Sequence, residues 1–245
     1  TIIGNNNPAI ANTSSLDIVQ TIITKNRDCL ILENNGNIKV FGRNDNGELG
    51  VGNTNDIPDM IDSNYKSVAD SDSTKIIKLA VGLEFVLALT DNGRIIACGG
   101  NSNAQLGIGN TTNQTTPVFV NTFSGASDEY YAVDIACTFR NGYAITKDGK
   151  MWSWGNQHWS AVTASYLGRT GNFTIPGKVT TDGSTELTGV KRWNIDSAIS
   201  ERVLDAGNSH LLILMQNGDL YGLGRNGGSN IGTFGTGNNT HFSNA

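Results

Sequence analysis

The sequence predicts an all-β fold, a β-propeller of four visible repeats, and three observations carry that prediction. One phrase recurs four times: ILENNGNIKVFGRNDNGELGVG from Ile31, ALTDNGRIIACGGNSNAQLGIG from Ala88, AITKDGKMWSWGNQ from Ala144 and ILMQNGDLYGLGRNGGSNIG from Ile213. Such recurrence means that one small unit is built over and over. The apolar runs inside each copy are short, and their period is two or continuous rather than 3.6. Each copy also carries one Asn-Gly or Asp-Gly pair, the dipeptide of tight hairpins.

The elements follow from these marks in order. KLAVG (78–82), FVLALT (85–90) and RIIACG (94–99) are apolar runs of strand length, each punctuated by glycine. The pairs at 35–36, 92–93, 148–149 and 217–218 supply the positive φ angles of two-residue hairpin loops. Their glycines step by 57, 56 and 69 residues from Gly36 to Gly93, Gly149 and Gly218. A unit is therefore an antiparallel meander of about three or four strands, too small to bury both faces alone. Stacking the units around an axis solves that problem and gives a propeller. The repeats are placed at 20–76, 77–132, 133–200 and 201–245 of a single domain, 1–245. Residues 1–19 are assigned a strand that completes a neighbouring or the last blade. No stretch carries a sustained helical stripe.

The motifs resemble the regulator of chromosome condensation repeat. The second copy shows the pattern as Val81-Gly82, Ala88-Leu89, Asp91-Asn92-Gly93, Gly99, Asn101, Gln105-Leu106-Gly107 and Gly109. The first matches at Gly42, Asn44, Glu48-Leu49-Gly50 and Gly52, and the fourth at Gly207, His210, Tyr221, Gly224, Asn226 and Ile231-Gly232. The third keeps Asp148-Gly149, Trp152, Trp154, Gly155 and Asn156, with its Leu-Gly delayed to Leu167-Gly168. The resemblance covers roughly residues 20 to 240 and implies a propeller, which in this family is usually a closed ring of seven blades. With four copies visible, a partial or shortened ring is expected, a segment of something larger. The resemblance also places at His210 a histidine that satisfies neighbouring backbone.

Composition bounds the partners. The formal charge is −5 with 17 Lys and Arg, and no basic run occurs. Phosphate backbones demand clustered cations, so nucleic acid is excluded as a partner. The longest aliphatic stretch, LLILM at 211–215, inserts into no membrane. Asn rivals Gly in abundance, with Thr and Ser close behind. That polar, weakly charged surface suggests an extracellular or virion-surface setting; the Asn-X-Ser/Thr motifs at Asn12, Asn110, Asn113, Asn172 and Asn238 arise by chance in so Asn/Thr-rich a chain and matter only in a eukaryotic secretory pathway. Cys29, Cys98 and Cys137 have no metal or redox spacing and read as buried apolar positions.

The sequence offers no catalytic constellation, metal site or cofactor site. His158 and His241 stand apart from His210, and the glycine-rich 222–237 lacks the Gly-Lys-Ser/Thr of a phosphate loop. Asn44-Asp45-Asn46-Gly47-Glu48 lacks the first Asp and the later Glu of a calcium loop. Departures from the repeat are the place to seek binding. The third copy is longer, and its 156–200 region holds Trp159, Tyr166, Arg169, Phe173, Lys191, Arg192 and Trp193. Rigid aromatics beside cations make protein hot spots and sugar platforms. The 59–75 loop, with Met60, Ile61 and Tyr65, is a second and weaker candidate.

The expected function is a non-enzymatic structural or recognition module in a virus particle (phage tail, capsid-associated or host-attachment) or at a cell surface. Its expected partners are virion or cell-surface proteins, or a glycan. Two alternatives follow from the family resemblance: a guanine-nucleotide exchange factor for a small GTPase, and a secreted inhibitor of the β-lactamase-inhibitor type.

Overall fold

The computed structural model describes residues 18–25, 27–156, 167–180, 184–190, 204–206, 210–218 and 220–224. Four antiparallel sheets follow one another along the chain, each with its strands in sequence order. Blade one is β1 (Val19–Lys25), β2 (Asp28–Glu33), β3 (Ile38–Gly42) and β4 (Ile57–Asp62). Blade two is β5 (Ile76–Val81), β6 (Phe85–Thr90), β7 (Ile95–Gly99) and β8 (Gln114–Phe119). Blade three is β9 (Ala132–Cys137), β10 (Asn141–Thr146), β11 (Met151–Gly155) and the short β12 (Gly177–Lys178). Blade four shows β13 (Leu204–Ala206), β14 (His210–Leu214) and β15 (Leu220–Gly224). These are blades of a β-propeller.

The first strands lie side by side, β1 beside β5, β5 beside β9 and β9 beside β13. Gln20 Nε2 bridges two of them by donating to the Ile77 carbonyl at 2.9 Å. The fourth strands are therefore the outer edges, where an unpaired ladder invites aggregation. Pro58 sits within β4, Pro117 within β8 and Pro176 immediately before β12. Proline has no N–H to offer a foreign strand, which suits those edges.

Blades two and three bury both faces, and this explains their continuous apolar runs. Alternate residues of one sheet enter two successive cores. Leu30, Leu32, Ile38 and Val40 of blade one pack with Val86, Ala88, Ile96 and Cys98 of blade two. The other face of blade two, with Phe85, Leu87, Leu89 and Ala97, meets Ile135, Ala144, Trp152 and Trp154 of blade three. Tyr143, Ile145 and Met151 then meet Leu211, Ile213 and Leu223 of blade four. Trp152 and Trp154 are core residues as the strand pattern required, and all three cysteines are free and buried.

Trp154 shows how the repeat's glycines make this packing possible. A Cβ on Gly142 would lie 2.3 Å from the indole, and one on Gly107 would lie 2.7 Å from it. The slot they leave lets Trp154 Nε1 donate to the Gln105 carbonyl of blade two at 2.9 Å.

The hairpins form at the expected dipeptides, with one difference. Gly36, Gly93, Gly149 and Gly218 have positive φ, whereas the residues before them do not. Gly93 N–H closes onto the Thr90 carbonyl at 3.0 Å, and β6 and β7 stop at Thr90 and Ile95. The connection is thus a type I turn followed by a left-handed glycine, longer than a two-residue loop. The 59–75 segment departs more. Met60 and Ile61 belong to β4, and Tyr65 opens a short helix α1 (Tyr65–Asp70) with its ring fully buried. Six residues are too few to show a helical stripe.

Candidate functional site

The meander sorts the connections onto two ends of the blades. One end carries the Asn-Gly and Asp-Gly hairpins together with the links between blades. The other, the loop end, carries the turns before β2, β6 and β10 and the long connections after β3, β7 and β11. Those connections run 43–56, 100–113 and, longer, 156–176.

An asparagine organises each regular loop. Asn44 Nδ2 donates to the Asn53 and Asn55 carbonyls at 2.8 and 3.1 Å, and its Oδ1 accepts from Leu49 N–H at 2.9 Å. Asn101 repeats the pattern with Asn110, Thr112 and Leu106. These amides are consumed by backbone, which is why the calcium-like stretch is a turn. Among the described residues no group of His, Cys, Asp and Glu is placed to hold a metal ion.

The third loop is built differently. Arg169, a candidate contact by sequence, is buried, 7% exposed. Its Nε donates to the Ser153 carbonyl at 3.0 Å, and Nη1 to those of Thr170 and Asn172 at 3.3 and 2.9 Å. Nη2 reaches the Ile175 carbonyl at 2.9 Å. Burial pulls the guanidinium down to about 10, which leaves it charged at neutral pH. Asn172 Oδ1 accepts from the N–H and the hydroxyl of Thr174 at 2.9 and 2.8 Å. Gly155 N–H donates to Phe173 O at 3.1 Å, and Gly109 N–H of blade two donates to Thr174 O at 2.9 Å.

Residues 170–175 are therefore pinned to two blades through their backbone, while two apolar side chains face out. Phe173 is 37% exposed and Ile175 42%. Beside them, Gly155 has the Arg140 carbonyl against its other side, 2.4 Å from where a Cβ would stand. Arg140 is exposed, with its guanidinium over the ring of Phe139 at 5.9 Å.

Arg169 and Phe173 are thus brought together, one as the clamp and one at the surface. Trp159, Tyr166, Lys191, Arg192 and Trp193 lie outside the described residues. The described neighbour of Lys191 is Val190, whose N–H donates to the Gly149 carbonyl at 3.2 Å on the hairpin end. Ile175 and Arg140 were missed. A signal for Arg140 exists: it occupies the position before the second strand of each blade, shared with Arg27 and Glu84.

Two family models for the regulator of chromosome condensation (RCC1) repeat match the chain, over residues 92–138 and 76–105. Residues 76–138 of the chain thus carry this repeat. The ultraviolet-B receptor UVR8 of Arabidopsis thaliana is 26% identical over 223 residues, 90% of this chain and 44% of the receptor. The secretion-regulating guanine nucleotide exchange factor of Bos taurus is 28% identical over 196 residues, covering 80% of this chain and 38% of that protein. The human X-linked retinitis pigmentosa GTPase regulator is 27% identical over 150 residues, 61% of this chain and 14% of that protein. The chain spans less than half the length of these relatives. In fold it is similar to human WBSCR16, at a TM-score of 0.69 and 20% identity over 93% of this chain and 52% of that one. It is also similar to yeast RCC1 (Prp20), solved bound to Kap60, at a TM-score of 0.56 and 22% identity over 84% of this chain and 56% of that one.

These findings correct the expected setting. The relatives are named for nucleotide exchange, GTPase regulation and light reception, which are activities inside cells, and this overturns both the virus-particle function and the extracellular location. Virion and glycan partners fall with it, while protein partners remain. The abundance of asparagine that suggested an outside surface has a structural cause. Asn44, Asn101, Asn113 and Asn172 hold loop backbone in place, as that surface inference did not allow.

Proposed function

We propose that the chain is a non-catalytic propeller module that docks a small GTPase and promotes nucleotide exchange. Support comes first from relatives named as an exchange factor and a GTPase regulator. The observation that carries the reading here is the loop end of blades two and three, where Phe173 and Ile175 stand exposed on a clamped backbone. A rigid apolar pair loses little entropy on docking, and its burial supplies affinity. The cations at the other end, Lys147, Lys150 and Lys178, are already paired with acidic residues, so nucleic acid is not proposed as a partner.

The mechanism needs no covalent step. A protein that binds a nucleotide-free GTPase more tightly than the loaded form must weaken nucleotide binding by the same factor, since coupling is reciprocal. A hundredfold preference corresponds to about 2.7 kcal/mol.

The test is release of a fluorescent guanine nucleotide from a panel of small GTPases. At micromolar chain, one GTPase is expected to release at least tenfold faster than alone. Unaltered release across the panel, with no complex on gel filtration, would sink the reading.

A further inference from the structure

The docking reading leaves open what kind of surface the partner presents, and the polar accounting of the 170–175 loop answers it. The carbonyls of Thr170, Asn172 and Ile175 accept from Arg169, that of Phe173 from Gly155, and that of Thr174 from Gly109. The Asn172 side-chain oxygen is taken by Thr174. Five backbone acceptors and the best side-chain acceptor are thus unavailable to a partner. The large apolar side chains left outward are Phe173 and Ile175, two residues apart, beside the exposed but uncharged Thr170 and Asn172. Such a surface gains nothing from a strongly hydrogen-bonding counterpart, which would lose its own water without return.

Arg140 adds the second half. Among the described residues it has no carboxylate in ion-pair range, unlike Lys147, Lys150 and Lys178. Among the described residues Arg27 and Lys75 are likewise exposed without an ion pair, and Arg140 is the one of the three that neighbours the Phe173 loop. Its backbone is separated from that of Phe173 only by Gly155. Phe139 and Leu83, both half-buried, continue the same end, with Leu83 N–H donating to the Phe139 carbonyl at 3.0 Å.

We infer that Arg140, Phe173 and Ile175 form one docking surface, and that its partner is a protein presenting an apolar pocket edged by a carboxylate. Phe173 and Ile175 fill the pocket, and Arg140 meets the acid at its rim. The apolar pair sets residence time. Arg140 sets the approach rate and rejects pockets with a basic rim, as charges at an interface edge do. This rests on the proposal that the chain docks a GTPase, and the experiment separates the two.

The chain is titrated with a panel of nucleotide-free small GTPases, by calorimetry and stopped flow, as wild type, Arg140→Glu, Phe173→Ser with Ile175→Ser, and Tyr130→Ala at the hairpin end. Melting temperature is followed in each. With a GTPase that binds, Arg140→Glu is expected to slow association at least tenfold at 50 mM salt, with the difference shrinking at 500 mM. The double serine variant is expected to weaken affinity at least thirtyfold, mainly through dissociation, and Tyr130→Ala to leave both rates unchanged. Equal binding by all variants would overturn the surface and leave the GTPase reading standing. Should no GTPase bind, that reading falls, and a benzoylphenylalanine at position 173 decides the surface in cell extract. Cross-links mapped to an apolar segment with Asp or Glu nearby support it; cross-links to basic segments, or none, overturn it.

Discussion

At the scale of one residue, Asp28 is the place where the blade pattern is strained. It opens β2, is 4% exposed, and its Oδ1 has no hydrogen-bond partner among the described residues. Burial first, and then the Glu48 carboxylate, push its acid up to about 7, against which Arg43 works and Asp45 and Asp56 add. The sign follows from linkage. A carboxyl raised above its unfolded value of 3.8 leaves stability intact below pH 4 and withdraws it progressively up to about pH 7. The gap sets an upper bound of about 4 kcal/mol, at roughly 1.4 kcal/mol per pH unit. Equivalent positions carry Phe85 and Asn141, both neutral, and Asn141 Nδ2 donates to the Asn156 carbonyl at 2.7 Å. By repeat equivalence, Asn at 28 has the Arg43 carbonyl to bond. Asp28→Asn should therefore stabilise the fold at pH 8 by about 2 kcal/mol and leave it unchanged at pH 3.5. Urea midpoints at the two pH values check this. An equal gain at both would show that packing, not ionisation, is the cause.

At the scale of the element, Arg169 turns an insertion into a fixed surface. Lysine in its place keeps the charge but cannot reach four carbonyls in one plane. Arg169→Lys should cost about 1–3 kcal/mol through unsatisfied acceptors. It should also speed amide exchange at Gly109 and Gly155, the two donors that hold the loop from outside it. Unchanged exchange there would mean that the Asn172 turn suffices alone. This element also marks the limit of what the sequence disclosed. The hairpins, the strand positions of Trp152 and Trp154 and the buried cysteines were legible because four copies constrain one another. Residues 156–176 have no counterpart of that length, so only composition spoke for them, and composition cannot tell a clamping arginine from a docking one. By composition Arg169 is a contact and Arg140 an ordinary turn residue, whereas in the structure Arg169 is buried and Arg140 exposed. Ile175 was missed because a lone aliphatic in a loop has no pattern. Tyr65 was read as loop, yet its ring fills the space that Gly50 leaves open, 2.7 Å from where a Cβ would lie.

At the scale of the whole molecule, stability is shared between consecutive interfaces rather than gathered at one centre. The blade one–two core, the blade two–three core and the blade three–four core have separate memberships. In such an array each unit answers mainly to its neighbours. The blade two–three core is the aromatic one: Phe123 lies 5.7 Å from both Trp152 and Trp154, and the half-exposed Tyr130 borders it at 5.9 Å from Trp152. Trp154→Ala empties the slot between Gly107 and Gly142 and strands the Gln105 carbonyl, a loss of about 3–5 kcal/mol by analogy with other buried aromatics. Because Trp154 takes no part in the blade one–two core, amide protection should fall in β9 to β11 while β2 and β3 keep theirs. Hydrogen exchange resolved by peptide reads this directly. A uniform fall across all blades would instead show that the propeller opens as one cooperative unit, and a docking surface spanning blades two and three would then be only as firm as the weakest interface in the array.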